Sequence, residues 1–171
     1  MNQNDFDMAK KWYSENNHEL QIIIDILQTN KEIFSLKRQE NSEERWLTYT
    51  LRISSHPVRG YTILFDYENS NNDTLFMNNN FTSILTTSNQ NLSSILDSNN
   101  ISISDFLKIV SFLDNKKIFI ITRLIDFNYI LILVDPTYGL LYNPEGELPK
   151  HPEAQEIKKI TDHIYYYKQK P

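Results

Sequence analysis

The stretch Lys116–Asn143 limits the possible folds of this chain more than any other part of the sequence. It contains two long runs of mainly apolar, often β-branched residues, Ile118–Ile125 and Tyr129–Val134, and a shorter third run, Leu140–Tyr142. In both long runs the even and the odd positions are mainly apolar, which is typical of strands that are buried on both faces. The stretch therefore predicts three antiparallel strands in a meander at the centre of a larger sheet.

Turn residues separate these three runs. Asp126–Asn128 carries short polar side chains that bond the nearby backbone. In Asp135–Gly139, Pro136 fixes φ and Gly139 is free to take a positive φ. Both segments therefore predict tight connections between neighbouring strands.

A long N-terminal helix is predicted over Phe6–Thr29, with Asp5 or Asp7 as its cap. Its apolar residues follow the spacing i, i+3, i+4, i+7. They are Leu20, Ile23, Ile24 and Leu27, with Ile22 and Ile26 widening the stripe. We expect the second half of this helix to be well buried against the sheet.

Two further helices are predicted later in the chain. One covers Ser102–Leu113, with Ser104 as its N-cap and an apolar stripe on one face. A shorter helix is expected over His151–Ile160, with Ile157 and Ile160 facing the core.

Alternation of polar and apolar residues predicts additional strands. They are Ile33–Arg38, Arg45–Ser54, Tyr61–Tyr67, a short strand near Leu75–Met77 and a last strand, Ile164–Tyr167. We expect the last strand at the edge of the sheet, where it is available for pairing with a second copy of the chain.

The polar segment Glu68–Asn100 differs in composition from the rest of the chain, because it is rich in Asn and Ser. Its apolar residues recur at nearly helical spacing, which indicates short helical turns on a polar connection. We interpret residues 1–171 as a single domain that includes this connection.

Composition argues against several classes of function. The chain has no Cys, which removes thiol catalysis and disulfides, and only three Gly, with no glycine-rich phosphate loop. Its net charge of −5 disfavours nucleic acid as the main partner and favours a basic protein instead. No signal peptide or membrane-spanning run is visible, so we expect a cytoplasmic protein.

Potential catalytic groups do not form a recognisable motif. None of the four histidines has metal-ligand spacing, although Glu15, His18 and Glu19 share one helix face. Residues at predicted strand ends or in loops are the remaining candidates for acid–base chemistry: Asp66, Asp126, Asp135 and His56. Asp135 precedes Pro136 and is typical of a turn. We therefore assign no catalytic, cofactor or metal site.

Aromatic residues near turns and at the expected sheet edge suggest a protein interface, because Tyr and Trp contribute large contact area at low entropic cost. The candidate partner-binding residues are Trp46, Tyr138, Tyr142, Glu145, Tyr165 and Tyr167. Packing against the sheet is the alternative role for these aromatic rings.

The segment Tyr138–Gly146, followed by Tyr165–Tyr167, resembles a pattern in small bacterial α+β proteins, some of which are similar to immunity proteins of polymorphic-toxin systems. The resemblance is confined to residues 138–167 and carries no catalytic residue. It implies a cytosolic, acidic, non-enzymatic protein that binds and masks a partner.

The sequence thus predicts an α+β fold with one mainly antiparallel sheet of about six to eight strands, on which an N-terminal and a central helix pack. The favoured function is non-catalytic protein binding of the immunity or antitoxin type. The alternatives are a small cytosolic enzyme with a carboxylate or histidine site and a structural subunit of a larger assembly.

Overall fold

The computed structural model describes residues 3–40, 46–53, 59–66, 83–85, 92–124 and 128–171. In this part of the chain it shows three helices and a nine-stranded sheet. The elements in chain order are α1 (Gln3–Thr29), β1 (Ile33–Glu40), β2 (Trp46–Ile53), β3 (Arg59–Asp66), β4 (Ser83–Leu85), α2 (Leu92–Ser98), α3 (Ile103–Asn115), β5 (Ile120–Leu124), β6 (Tyr129–Asp135), β7 (Tyr138–Tyr142), β8 (Ala154–Lys159) and β9 (Ile164–Gln169).

All neighbouring strands are antiparallel, in the spatial order β4-β3-β2-β1-β5-β6-β7-β9-β8. The first four strands form one meander, and the chain then passes through α2 and α3 before it adds β5 beside β1. The predicted α+β class and the single antiparallel sheet are confirmed. The predicted central meander is also confirmed as β5-β6-β7.

Strands β6, β7 and β9 bury side chains on both faces of the sheet. Towards the helices, Ile132, Leu140 and Tyr166 belong to the main core, together with the stripe of α1 and the buried face of α3. On the opposite face, Leu133 and Leu141 belong to a second, smaller cluster. This two-sided burial explains why the polar and apolar alternation disappears from the central strands.

Helices α1 and α3 lie side by side and antiparallel on one face. The end of α3 approaches the middle of α1, where Lys116 and Glu19 form an ion pair of 3.0 Å. The beginning of α3 approaches the end of α1, where Asn30 Nδ2 lies 3.4 Å from the Asp105 carboxylate. A nearly buried ion pair, Arg38 Nε to Asp114 Oδ1 at 3.2 Å, ties the end of α3 to β1.

The segment 143–153, which we call the strap, connects β7 to β8 and contacts the aromatic tips of the second cluster. The Tyr165 hydroxyl donates to the Gly146 carbonyl at 2.8 Å, and the Tyr167 hydroxyl lies 3.4 Å from His151 Nδ1. The buried Asn143 side chain holds the start of the strap, because it donates to the Glu147 carbonyl and accepts from the Glu145 amide.

The structure corrects the helix predicted over residues 151–160, because Ala154–Lys159 form strand β8. Ile157 and Ile160, whose spacing suggested one face of a helix, pack on different clusters. Ile157 packs on the second cluster together with Ala154, whereas Ile160 packs against the main core.

The C-terminal strand is also placed wrongly by the sequence prediction. Strand β9 lies between β7 and β8, so β8 and not β9 forms that edge of the sheet. The reason is that β8 pairs along the whole of β9. The additional strand also raises the number of strands to nine, above the predicted range.

Smaller differences concern the polar connection and α3. Ser83–Leu85 is a strand and not a helical turn, whereas Leu92–Ser98 is helical as expected. The N-cap of α3 is Ser102 and not Ser104. The strand expected near 75–77 lies outside the described residues. Among the helices that are described, none is both long enough and apolar enough to span a membrane.

Candidate functional site

The aromatic residues predicted to bind a partner do not form one exposed patch. Tyr165 and Tyr167 are each 1% exposed and lie in the second cluster beneath the strap. Their burial corrects the prediction, and its cause is the interior position of β9, whose two faces are both covered. Tyr166, between them, is buried against the helices.

The other predicted interface residues are dispersed. Tyr138 and Tyr142 are half-buried at opposite ends of β7, on the face that carries the helices. Glu145 is exposed on the strap. Trp46 begins β2, but its side chain is not among the described ones.

The histidines of the described chain lie in separate places. His18 is exposed on α1, whereas His151 Nδ1 accepts from the Glu153 amide at 3.3 Å. His163 is exposed, with Nδ1 3.1 Å from the Asn143 carbonyl. No group of three or more His, Asp or Glu side chains within the described ranges has the geometry to hold a metal ion.

The acidic residues on α1 that were considered with His18 have other partners. Glu15 pairs with Lys11 one helical turn away, and Glu19 pairs with Lys116 of the α3 end. These contacts describe a solvated helix face that carries ion pairs.

Among the carboxylates at strand ends, Asp135 has the turn role that the sequence indicates. Its Oδ1 accepts from the Thr137 amide at 2.9 Å and from the Thr137 hydroxyl at 2.7 Å. The side chain of Asp66 and residues 56 and 126 lie outside what the structure describes.

An apolar groove runs between α1 and α3 on the outer side of the helical layer. It encloses about 890 Å³, and its floor includes Ile23 and Phe112, both nearly buried. Its walls carry Ile22 on α1 and Ile103 and Leu107 on α3. Ile22 is 43% exposed, although it lines the groove together with apolar residues of α3.

Two polar links join α1 and α3. The Glu19–Lys116 ion pair joins the helices at one end, and the Asn30–Asp105 contact joins them at the other. The two links lie eleven positions apart in sequence on each side, from Glu19 to Asn30 and from Asp105 to Lys116. This separation corresponds to about 16 Å, or about three helical turns.

Helix α1 as a whole is acidic, whereas the groove lining contains one acidic residue, Glu19, and one basic residue, Lys108. Helix α1 contains five acidic and two basic residues, and so contributes −3 to the net charge of −5. Two of its carboxylates, Asp5 and Glu19, are engaged by Lys168 and Lys116. Asp25 is exposed and accepts a hydrogen bond from its helix neighbour Gln21.

A second concave feature, which we call the cleft, lies where α1 ends above the sheet. It encloses about 470 Å³, within the range of small-molecule sites. Its floor is a row of three residues in register across β5, β6 and β7, namely Arg123, Ile130 and Tyr142. Gln28 and Lys31 line it from the end of α1, and the Gln28 amide donates to the Tyr142 hydroxyl at 3.0 Å.

Arg123 closes the carboxyl end of α1. Its guanidinium donates to the carbonyls of Leu27, Asn30 and Ile33, with Nε 2.8 Å from the last of these. The contact with Leu27 satisfies one of the carbonyls that a helix end leaves without a partner in the helix. Burial lowers the pKa of Arg123 from its ordinary value, while the negative charge of Glu32 acts in the opposite direction.

Comparison with protein families, with characterised proteins and with solved structures finds no match to this chain.

Sequence reasoning missed the groove, although one signal for it was present. Ile22 was grouped with the buried stripe of α1, yet it lies two positions from Leu20, about 200° around the helix. An apolar residue on the polar side of an amphipathic helix indicates either a second contact within the fold or a surface for binding. The structure shows that Ile22 faces the groove.

Proposed function

We propose that this protein is a non-catalytic binding domain that holds a basic, amphipathic helix of another protein in the groove between α1 and α3. The observation that supports the proposal most directly is the exposed Ile22 side chain in a groove that the apolar residues Ile103 and Leu107 also line. Helix-in-groove binding uses such a surface, with apolar anchors at i, i+3, i+4 and i+7 of the bound helix.

The size of the helical layer and the charge of the protein define this occupant. The polar links between α1 and α3 lie about 16 Å apart, a span of about three turns of a helix. The net charge of −3 on α1 and −5 on the chain favours a bound helix with Lys and Arg, because opposite charges increase the association rate and suppress acidic competitors. The partner class is thus the basic protein that the composition favoured.

The resemblance of residues 138–167 to immunity-type proteins adds a role for this binding. We propose that the domain masks its partner, as an immunity or antitoxin protein does, and that it acts in the cytoplasm. The strap and the β7–β9 strands that carry the resemblance then serve as scaffold, because their tyrosines are buried.

Substitution of Ile22 tests the proposal. We expect Ile22→Asp to weaken capture of the partner by about 30-fold or more, because a central anchor of an interface contributes about 2 kcal/mol or more. The fold should be retained, since this side chain is 43% exposed. The first candidate partner to co-express is the product of a neighbouring gene, and the affinity is measured on the purified pair by calorimetry.

Met8→Asp is the matched control, because Met8 lies on the same helix, is 49% exposed and does not line the groove. It introduces the same charge and should leave the affinity unchanged. Equal binding by both variants would contradict the groove as the binding surface. Complete failure of the chain to bind a neighbouring gene product or any basic helix derived from it would contradict the proposed function.

A further inference from the structure

We infer that the cleft at the end of α1 is a binding site for a small organic carboxylate, separate from the groove. It is lined by two cationic side chains, Arg123 and Lys31, and by the apolar side chains of Leu124 and Ile130. A ligand with one carboxylate and a short apolar body matches this combination of charge and surface.

Arg123 supplies the central element of this site. Its Nη2 atom binds the carbonyls of Leu27 and Asn30 at the end of α1, and its Nε atom binds the carbonyl of Ile33 at the start of β1. A guanidinium has five N–H donors, and these contacts leave the two on Nη1. Within the described chain, Nη1 has no acceptor and Arg123 has no ion-pair partner, although the side chain is half-buried and lines the cleft.

The register of the sheet fixes this arginine against its neighbours. Arg123 pairs with Ile130, and Ile130 pairs with Tyr142, so the guanidinium, an apolar floor and a phenol follow one another across the cleft. The Tyr142 hydroxyl is held by the Gln28 amide at 3.0 Å. The site is therefore built from paired strands and a capped helix end, which give a rigid floor.

Charges of both signs surround the cleft. Lys31 is exposed at the rim, where it adds a second positive charge. The negative charge of Glu32 acts on the arginine, and those of Glu145 and Glu147 act on the Tyr129 hydroxyl, whose pKa is raised mainly by burial. The two donors on Nη1 and one ammonium suit a single carboxylate, and the acidic neighbours disfavour a ligand with more negative charge.

Binding of sodium butyrate, followed by two-dimensional amide NMR and by titration, tests this inference. We expect saturable shifts of the Gln28 side-chain amide and of the Arg123 Nε–H, with an affinity in the millimolar range for so few non-hydrogen atoms. Butyramide, which has nearly the same shape without the charge, should bind about tenfold more weakly or not measurably.

Substitution of exposed lysines changes the charge near the cleft without disturbing the fold, so a loss of binding can be distinguished from unfolding. Lys31→Glu should weaken butyrate binding by about tenfold. Lys10→Glu, an equal change of charge on exposed α1, should leave the binding unchanged. Arg123→Lys, measured with its free energy of unfolding, should weaken binding even where the variant remains folded, because it loses the guanidinium fork.

Three results would overturn the inference. They are equal weakening by Lys31→Glu and Lys10→Glu, tighter binding of inorganic phosphate than of butyrate, and linear, non-saturating shifts across the titration. None of them bears on the groove, since Ile22 does not line the cleft.

Discussion

At the scale of single residues, two glycines have different physical roles. Gly139 lies inside β7 at a point where β6 approaches unusually closely, next to a bulge between Leu133 and Asp135. A Cβ atom there would overlap the carbonyl oxygen of Ile132 and lie 2.7 Å from Leu133 Cα. The sequence predicted that Gly139 lies in a turn and can take a positive φ. In the structure it lies within β7, where the absence of a side chain allows the backbone of β6 to approach closely.

We expect Gly139→Ala to destabilise the protein by about 3 kcal/mol or more, because the backbone of β6 must move and the pairing of the central strands is disturbed. Gly146→Ala is the comparison. Gly146 has a φ of +72°, and an added Cβ would lie 3.3 Å from the Asp162 carbonyl, so that a cost of about 1 kcal/mol is expected. Urea unfolding followed by circular dichroism measures both, and a larger loss for Gly146→Ala would contradict this ranking.

At the scale of elements, the beginning of α3 shows how a correct helix is predicted with the wrong cap. Ser102 has extended backbone angles, and its hydroxyl accepts from the Asp105 amide at 3.3 Å. Ser104 is equally typical of a cap in sequence, but it already lies within the first turn. The two serines therefore differ in what they contribute to the same helix.

Ser102→Ala should reduce the free energy of unfolding by about 1 kcal/mol, since it removes the acceptor for a helix N–H. Ser104→Ala should leave the stability within about 0.5 kcal/mol of the original protein, because alanine favours the helix interior. Thermal or urea unfolding of the two variants distinguishes them. A larger effect at Ser104 would show that the helix begins two residues later.

The spacing of apolar residues predicted the helices and strands well where it matches the face that is buried in the structure. The stripes of α1 and α3 and the two-sided burial of β6 and β7 follow from patterns that are visible in the sequence. It failed for β8, because Ile157 and Ile160 have the spacing of one helix face and yet pack on different clusters. The interior position of β9 had a signal, since three consecutive buried tyrosines, Tyr165–Tyr167, require cover on both faces.

The candidate sites were harder to predict than the elements for a physical reason. The groove depends on how α1 and α3 are juxtaposed, and the cleft depends on the register that aligns Arg123 with Tyr142. Both are long-range properties, which no local period encodes. The one local signal was Ile22, an apolar residue on the polar side of its helix. It indicated the groove, which the predicted partner-binding residues did not include.

At the scale of the whole molecule, the ends of the chain meet on the helix-bearing face of the sheet. Asp5, near the start of α1, binds Lys168 of β9 at 2.8 Å. Phe6 packs edge-on against the ring of Tyr166, with centroids 5.7 Å apart. The attachment of α1 to the last strands therefore combines one ion pair with an aromatic contact around a buried phenol.

This arrangement predicts a loss of stability at alkaline pH. Burial, assisted by the negative charge of Asp5, raises the pKa of Tyr166 from 10.0 to about 12. The folded protein therefore holds the proton more tightly than the unfolded chain does. The stability is complete below pH 10 and falls as the pH rises towards 12. A shift of this size corresponds to about 2–3 kcal/mol.

Tyr166→Phe isolates this contribution, because phenylalanine keeps the ring contacts and cannot ionise. Between pH 10 and pH 12 both proteins should lose stability. We expect the loss in the free energy of unfolding to be about 2 kcal/mol smaller for Tyr166→Phe than for the original protein. The hydrogen bond to Asp5 raises the pKa of Lys168, which titrates in the same range, so Lys168→Met is measured alongside to separate the ion pair from the phenol. If the two curves for Tyr166→Phe and the original protein run parallel across this range, the buried phenol does not set the alkaline limit of the fold.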